Sequence, residues 1–136
     1  MKEKDIQNYL FENPDFLFPN KIIQEKAKEY SIKGKRIDLL FRVDGHRYIV
    51  EIKNKPLNIE YISQVVEYCG LMKSYLNEAE LKMILVAPII IEEWQKVYLD
   101  EPGIHCVIFD VILNENVEEN NSSNLKTNYY DNRIKY

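Results

Sequence analysis

The pattern of apolar and polar residues first indicates a β-hairpin in the middle of the chain. Residues 35–43 and 47–54 form two largely apolar runs that are rich in β-branched and aromatic side chains, as strands are. Between them stands Asp44-Gly45, a dipeptide that favours tight turns because both positions accept a positive φ. The pattern therefore predicts two antiparallel strands that lie side by side.

A long amphipathic helix is predicted next, over residues 58–76. Its polar residues at i, i+4 and i+8 place Glu60, Gln64 and Tyr68 on one face. A separate apolar stripe with helical spacing consists of Ile59, Ile62, Val65, Val66, Cys69, Met72 and Leu76. Such a helix can cover one face of a sheet and keep a polar row apart from it.

Helices and strands are predicted to alternate along most of the remaining chain. Residues 21–32 are ambiguous at this point, because Gln24–Glu29 has a helical composition. A helix between the last two strands lets those strands run parallel. The other predicted elements are a helix over 2–12 that ends at Asn13-Pro14, a strand over 81–87, a helix over 91–99 and a strand over 104–113.

These elements predict an α/β fold with a central mixed β-sheet flanked by helices on both faces. With 136 residues and 46% hydrophobic content, the chain can bury one core, and residues 1–113 are the expected domain. Residues 114–136 are rich in Asn, Glu and Ser and predict a polar tail. Its tyrosine-rich end, Tyr129–Tyr136, is expected to pack back on the sheet in part.

Three charged residues of the hairpin indicate chemistry. Asp38 lies on the first strand, while Glu51 and Lys53 share one face of the second, opposite Val50 and Ile52. Two carboxylates and an amine are the groups needed to hold a divalent metal ion against a phosphodiester and to activate a water. Taken alone, Glu-x-Lys is a loose pattern, and a solvated charge pair is the simpler interpretation.

Together with the following helix, these residues resemble the PD-(D/E)xK nuclease superfamily, in its RecB-like and EndoMS/NucS-like branches. In those proteins an Asp, a later Glu and a Lys two residues beyond it form the catalytic centre, and a Gln and a Tyr four residues apart on the next helix point into it. The matching residues are Asp38, Glu51, Lys53, Gln64 and Tyr68. The resemblance implies a restriction-endonuclease-like αβββαβ core and an endonuclease that hydrolyses DNA with the help of a metal ion.

The resemblance to the NucS-like nuclease domain extends over roughly residues 3 to 113. It includes an acidic helix start that runs to Asn13-Pro14, Gly34 before the Asp38 strand, and residues 83–88 as the next buried strand and turn. It also implies a short strand near residues 29–32. NucS-like enzymes carry a separate N-terminal domain for DNA binding and dimerisation, and this chain begins at the nuclease domain. A mismatched or branched DNA substrate is therefore not carried over.

The resemblance and the residue chemistry together suggest a role for each side chain. Asp38 and Glu51, with the backbone carbonyl of Ile52, would hold Mg²⁺ or Mn²⁺, since these ions prefer oxygen ligands. Lys53 would position or deprotonate the attacking water and offset charge in the transition state. The Gln and Tyr of the helix would hydrogen-bond a phosphate oxygen or that water.

An additional metal-binding acid is expected from the first helix. Glu3 is the natural candidate, in competition with Asp5 and Glu12. An acid in the first helical turn is also what the helix dipole favours without any catalytic role, and we weight the two interpretations of Glu3 equally. Glu29 is a weaker candidate.

The net charge of −4 argues against a protein that binds nucleic acid through bulk attraction. However, a basic cluster that includes Lys33, Lys35 and Arg36 leads directly into the Asp38 strand. This cluster is a candidate contact with a DNA backbone, and a solvated surface is the equal alternative. DNA is the expected partner, and both a monomer that nicks one strand and a homodimer that cuts both stay open.

Two other classes of function, and the location of the protein, complete the expectations. The first class is a catalytically silent nucleic-acid-binding module with a nuclease fold, which typically lacks the acid or the lysine. The second is a structural protein whose polar cluster is a salt-bridge network and binds no metal. Since no signal peptide or membrane-spanning stretch is recognisable, a cytoplasmic location is expected.

Overall fold

The fold is described here from a computed structural model, which covers residues 2–76, 81–87, 91–110 and 126–127. Its elements follow the predicted order. The helices are α1 (Glu3–Glu12), α2 (Ile59–Leu76) and α3 (Glu93–Asp100), with a short 3₁₀ helix at Pro14–Phe16. The strands are β1 (Ile23–Ile32), β2 (Lys35–Val43), β3 (His46–Ile52), β4 (Lys82–Ala87), β5 (Ile104–Asp110) and β6 (Lys126–Thr127).

One mixed sheet, with its strands in chain order from β1 to β6, forms the centre of the fold. The pairs β1–β2 and β2–β3 are antiparallel, whereas β3–β4 and β4–β5 are parallel and β6 runs antiparallel to β5. Two-residue turns join β1 to β2 and β2 to β3, and the helices α2 and α3 make the parallel connections possible. The predicted α/β class with a mixed sheet flanked by helices is thus confirmed.

Apolar side chains pack on both faces of the sheet. Strand residues facing α1 include Leu39, Phe41, Val50, Ile52, Ile84, Val86, Val107 and Phe109. Strand residues facing α2 and α3 include Leu40, Ile49, Met83, Leu85, Ile104, Cys106 and Ile108. Every one of them is at least nine-tenths buried, so the helices hold both sides of the sheet against solvent.

The ambiguous segment is one long strand, β1, rather than a short strand near residues 29–32. Its helical composition is overridden because cross-strand hydrogen bonds to β2 run along nearly its whole length. The turn into β2 has positive φ at Lys33 (49°) and Gly34 (78°), as a tight hairpin turn requires.

Smaller differences from the predictions occur at the ends of elements. The ladder of β3 ends at Ile52 instead of residue 54, and α3 begins at Glu93 instead of residue 91. Ile59 was expected in the apolar stripe of α2, but 46% of it is exposed because it lies in the first turn of the helix, at its edge.

The segment predicted as a polar tail contributes β6, which pairs with Phe109 and Asp110. The predicted end of β5 at residues 111–113 and the tyrosine-rich end Tyr129–Tyr136 lie outside the described residues. None of the helices in the described part of the chain is both long and apolar enough to cross a membrane.

Candidate active site

The candidate site lies where β3 loses one of its two neighbouring strands, β2, and keeps the other, β4. The ladder between β2 and β3 ends at the pair Leu39–Val50. Beyond that pair β3 continues beside β4, with Ile52 opposite Val86. The backbone N–H of Ile52 donates a 2.9 Å hydrogen bond to Oδ2 of Asp38. A carboxylate therefore satisfies a backbone group at the point where β2 and β3 part.

The strand that carries Asp38 is irregular at this residue. On β1, Lys28 pairs with Leu39 and Tyr30 with Ile37, but Glu29 and Asp38 between them form no regular pair. Glu29 has a φ of +54°, a left-handed backbone conformation in the middle of a strand. As a result Ile37 packs with the α2-facing cluster while Leu39 packs with the α1-facing cluster, although regular alternation would put both on one face.

Asp38 is half-buried and held from two sides. Its backbone carbonyl accepts a 2.8 Å hydrogen bond from Nε2 of Gln7, a buried residue of α1. Burial raises the pKa of the Asp38 carboxyl group above its usual value, and the hydrogen bond from Ile52 partly opposes this. The negative charge of Glu3 raises the same pKa further, while Lys53 and Arg36 lower it.

Glu51 is the most perturbed acid of the site. Burial, followed by the nearby charge of Asp38, raises the pKa of its carboxyl group to about 8, although Lys53 and a backbone hydrogen bond from Asp38 act in the opposite direction. Its Oε1 atom is buried and has no hydrogen-bond partner among the described residues. A buried acceptor without a partner is costly, so it indicates a ligand that would complete the site.

Lys53 follows β3 directly and stays attached to the sheet through its backbone. Its N–H donates a 2.9 Å hydrogen bond to the carbonyl oxygen of Val86 on β4. Its Nζ lies 5.5 Å from the ring centroid of Tyr61, and its charge lowers the pKa of both Asp38 and Glu51. The charge of the amine therefore acts on both carboxyl groups of the site.

The two helix residues of the motif have different environments. Tyr68 is half-buried, and its hydroxyl group donates a 3.0 Å hydrogen bond to the backbone carbonyl of Arg36. Burial and the charges of Glu51 and Asp38 raise the pKa of Tyr68. Gln64 lies one turn earlier on the same side of α2 and is exposed. Tyr68 is therefore within reach of the charges of Glu51 and Asp38, whereas the side chain of Gln64 is exposed to solvent.

An open pocket of about 180 Å³ lies beside Asp38. Oε2 of Glu3 accepts a 3.0 Å hydrogen bond from the backbone N–H of Asn54. Asp5 instead accepts one from the N–H of Lys2 at the start of α1. Glu3 is therefore the acid of the first helical turn that faces this site. The pocket is lined by Glu3, Lys4, Gln7, Glu29, Arg36, Asp38 and Ile52.

The basic cluster does not enter the site as a unit. Arg36 lines the pocket, whereas Lys33 belongs to the turn between β1 and β2 and Lys35 begins β2, both exposed. Sequence reasoning missed Gln7 and Lys4. The available signal for Gln7 was its position four residues after Glu3, which puts both on one face of α1.

The donor set fits a hard divalent cation such as Mg²⁺ or Mn²⁺. Asp38 and Glu51 offer carboxylate oxygens, and the unpartnered Oε1 of Glu51 is the observation that calls for a positive ligand. No group of three or more His, Cys, Asp or Glu side chains is close enough to hold a metal within the described ranges. The two carboxylates would thus be completed by backbone oxygen and water, which these ions accept.

Comparisons with known proteins agree with the fold. The family model "Endonuclease NucS C-terminal domain" matches residues 2–132, and so extends beyond the predicted limit at residue 113. Among solved structures, a repair endonuclease from Pyrococcus abyssi is 25% identical with a TM-score of 0.64 and matches 78% of this chain and 46% of its own. A complex of EndoMS with double-stranded DNA is 23% identical with a TM-score of 0.63, over 77% and 43% of the two chains.

The apo form of EndoMS is similar to the same extent, with 23% identity and a TM-score of 0.63 over 82% of this chain and 47% of its own. The chain thus spans less than half the length of these relatives. A comparison with curated protein sequences gave no match. The structural likenesses establish the nuclease fold, and the named residues rest on the geometry described above.

Proposed function

Because the chain belongs to the endonuclease NucS C-terminal domain family, we propose that it is a metal-dependent DNA nuclease that cuts phosphodiester bonds internally. The observation that carries this proposal is the meeting of Asp38, Glu51 and Lys53 at the end of the β2–β3 ladder, with one buried carboxylate oxygen unpartnered. The matched complex of EndoMS with double-stranded DNA supports DNA as the substrate.

In this proposal Asp38 and Glu51 would hold Mg²⁺ or Mn²⁺, together with the backbone carbonyl of Ile52 and water, while Glu3 lies beside them on the pocket wall without binding the ion directly. The bound ion supplies a Lewis acid that polarises the phosphate and acidifies water. Glu51 suits this role because burial and the charge of Asp38 raise the pKa of its carboxyl group, so a bound cation would favour the ionised form.

Lys53 supplies an amine on a backbone that is fixed to β4. Its hydrogen bond to β4 holds the main chain, so the side chain can orient or deprotonate the attacking water and then offset charge on the phosphate. The Tyr68 hydroxyl group is already used by the carbonyl of Arg36, so it positions the strand that carries Asp38. Gln64, exposed beside it, is free to contact the phosphate or the water.

The structural alternative is disfavoured by Glu51. A salt-bridge network would pair its buried oxygen atoms, yet Oε1 has no partner among the described residues. We place the activity in the cytoplasm, where a DNA substrate is available. The buried free thiols of Cys69 and Cys106 agree with such a reducing compartment.

A cleavage assay with one matched pair of variants tests the proposal. Labelled single-stranded, duplex, branched and mismatched DNA, and RNA, would be incubated with Mg²⁺ or Mn²⁺. We expect Lys53→Ala to lower the rate by about 10²- to 10⁴-fold, because it removes a group used in the transition state. Lys55→Ala, which removes an exposed amine two residues further on, should leave the rate unchanged.

The same proteins separate the competing functions. Thermal stabilisation by Mn²⁺ that is lost in Asp38→Ala would exclude a purely structural role. DNA binding without cleavage on any substrate would instead identify a silent binding module. Cleavage that survives Lys53→Ala would show that the activity comes from another site or from a contaminant.

A further inference from the structure

One carboxylate on the wall of the pocket lies between two cations. Oε1 of Glu29 is 3.5 Å from Nη1 of Arg36, and its Oε2 is 3.9 Å from Nζ of Lys4. All three residues line the pocket beside Asp38. The two cations come from different elements, α1 and β2, and Glu29 on β1 is the group that joins them.

The backbone of Glu29 shows that this contact is not an ordinary pair between neighbouring strands. Its φ of +54° lies in a region that residues with a side chain rarely adopt, and it has no regular ladder partner on β2. Arg36 pairs with Ser31 in the ladder, so its contact with Glu29 runs diagonally. By contrast, Glu25 and Arg42 are direct partners on the same two strands, also 3.5 Å apart.

The ion pairs of Glu29 are exposed and therefore easily exchanged. The side chains of Arg36 and Lys4 are each 67% exposed, and that of Glu29 is 38% exposed. Pairs of this kind contribute little net stability in water. A guanidinium group binds carboxylate and phosphate oxygens with the same donor geometry, so a phosphate can take the place of the carboxylate.

We propose that Arg36 and Lys4 form a phosphate-binding subsite beside Asp38, and that the Glu29 carboxylate occupies the position of the phosphate until DNA binds. This inference rests on the proposed function, because it concerns the DNA backbone next to the reacting group. The hydrogen bond from Tyr68 to the Arg36 carbonyl fixes the main chain, while the guanidinium group is left to exchange partners.

Binding measurements without cleavage test this subsite. The Kd of a labelled DNA duplex would be measured in EDTA by fluorescence anisotropy at several salt concentrations. Glu29→Gln should lower the Kd by about two- to fivefold, because it removes the competing anion. Arg36→Ala should raise the Kd and reduce the salt slope by about one. Glu25→Gln, the matched control, should leave both quantities unchanged.

Two further variants keep the test decisive. Glu29→Gly removes the carboxylate at a backbone conformation that glycine adopts without strain, so it folds even if Glu29→Gln does not. It should also bind DNA more tightly. In an Arg36→Ala background the gain from Glu29→Gln should shrink, because the carboxylate then competes at a subsite that has lost one of its cations.

The outcomes distinguish this inference from the proposed function. Wild-type protein that binds and cuts DNA, with Glu29→Gln and Glu29→Gly binding no more tightly, would overturn the phosphate subsite alone. Wild-type protein that neither binds nor cuts DNA would overturn the proposed function. An equally large fall in the Kd for Glu25→Gln would show that the loss of any negative charge strengthens DNA binding, and this would also refute the subsite.

Discussion

The two halves of the sheet differ in burial and in chemistry. In the parallel half, nearly every residue of β4 is buried on one face or the other. In the antiparallel half, β1 is almost entirely exposed and β2 begins with exposed residues before it enters the core. Asp38 and Glu51 lie in the antiparallel half, on β2 and β3, and Lys53 follows at the end of β3.

The difference shows how one strand, β3, can be held by the buried parallel half of the sheet and still carry polar residues of the candidate site. β3 has β4 on one side along its length and loses β2 on the other side after Val50. Parallel strands that are covered on both faces are stabilised by burial of their side chains. Pairing with β4 therefore holds β3 in place beyond Val50, where its pairing with β2 has ended. The polar groups exposed by that departure are then available to a substrate. Three predictions test this division of labour.

The largest expected effect is on the stability of the parallel half. Ile108→Ala removes a fully buried side chain of β5 and should lower the free energy of unfolding by about 2–5 kcal/mol. Cleavage per folded molecule should stay unchanged, since the site lies beyond β4. Urea unfolding and the cleavage rate would be measured together. Val97→Ala, which changes an exposed residue, is the control and should leave both quantities unchanged. A loss of cleavage in folded Ile108→Ala would show that the parallel half also contributes to the chemistry.

Per pH unit, a smaller effect is expected in the antiparallel half. The folded protein keeps a proton on Glu51 up to about pH 8, whereas the unfolded chain releases it near the ordinary value of 4.5. Since the folded state binds more protons between these values, stability should fall as pH rises through that window, by up to about 1.4 kcal/mol per pH unit.

Unfolding by urea in EDTA, repeated across this pH range, measures the slope. Glu51→Gln should flatten it, because the amide does not titrate. Added Mn²⁺ should stabilise the wild type more at the upper end of the range, where less work is needed to ionise the ligand. A wild-type slope that persists unchanged in Glu51→Gln would assign the titration to another group.

The smallest effect is expected from the link between α2 and β2. Tyr68→Phe keeps the packed ring and removes the hydrogen bond to the Arg36 carbonyl, which should cost about 0.5–1.5 kcal/mol of stability. Cleavage should fall less than in Lys53→Ala, since Tyr68 acts through the strand. Tyr75→Phe on the same helix is the control, and equal stabilities of the two variants would argue against this link.

The parts of the fold that sequence reasoning predicted are those fixed by local patterns. Two runs rich in β-branched and aromatic residues, joined by Asp44-Gly45, specify the β2–β3 hairpin, and the apolar stripe specifies α2. Strand β1 was poorly predicted because its structure depends on pairing with β2, and the composition of residues 24–29 favours a helix.

The candidate site likewise has features that local sequence patterns predict and features that depend on contacts between distant elements. The spacing of Glu51 and Lys53 was enough to place them together, and the pattern on α2 brought Tyr68 near. The role of the Tyr68 hydroxyl group was not predictable, because its acceptor is a backbone carbonyl on another element. The left-handed Glu29 has no local sequence signal either, since neither Gly nor Asn stands at that position.

The irregularity at Glu29 has a second consequence, for the free side of β1. This strand is one of the two outer strands of the described sheet, and a long outer strand is a template onto which another polypeptide can add. A left-handed residue turns the N–H and C=O groups out of line, so an incoming strand meets two short templates instead of one long one. The same distortion that shapes the pocket should therefore protect the protein from edge-to-edge aggregation.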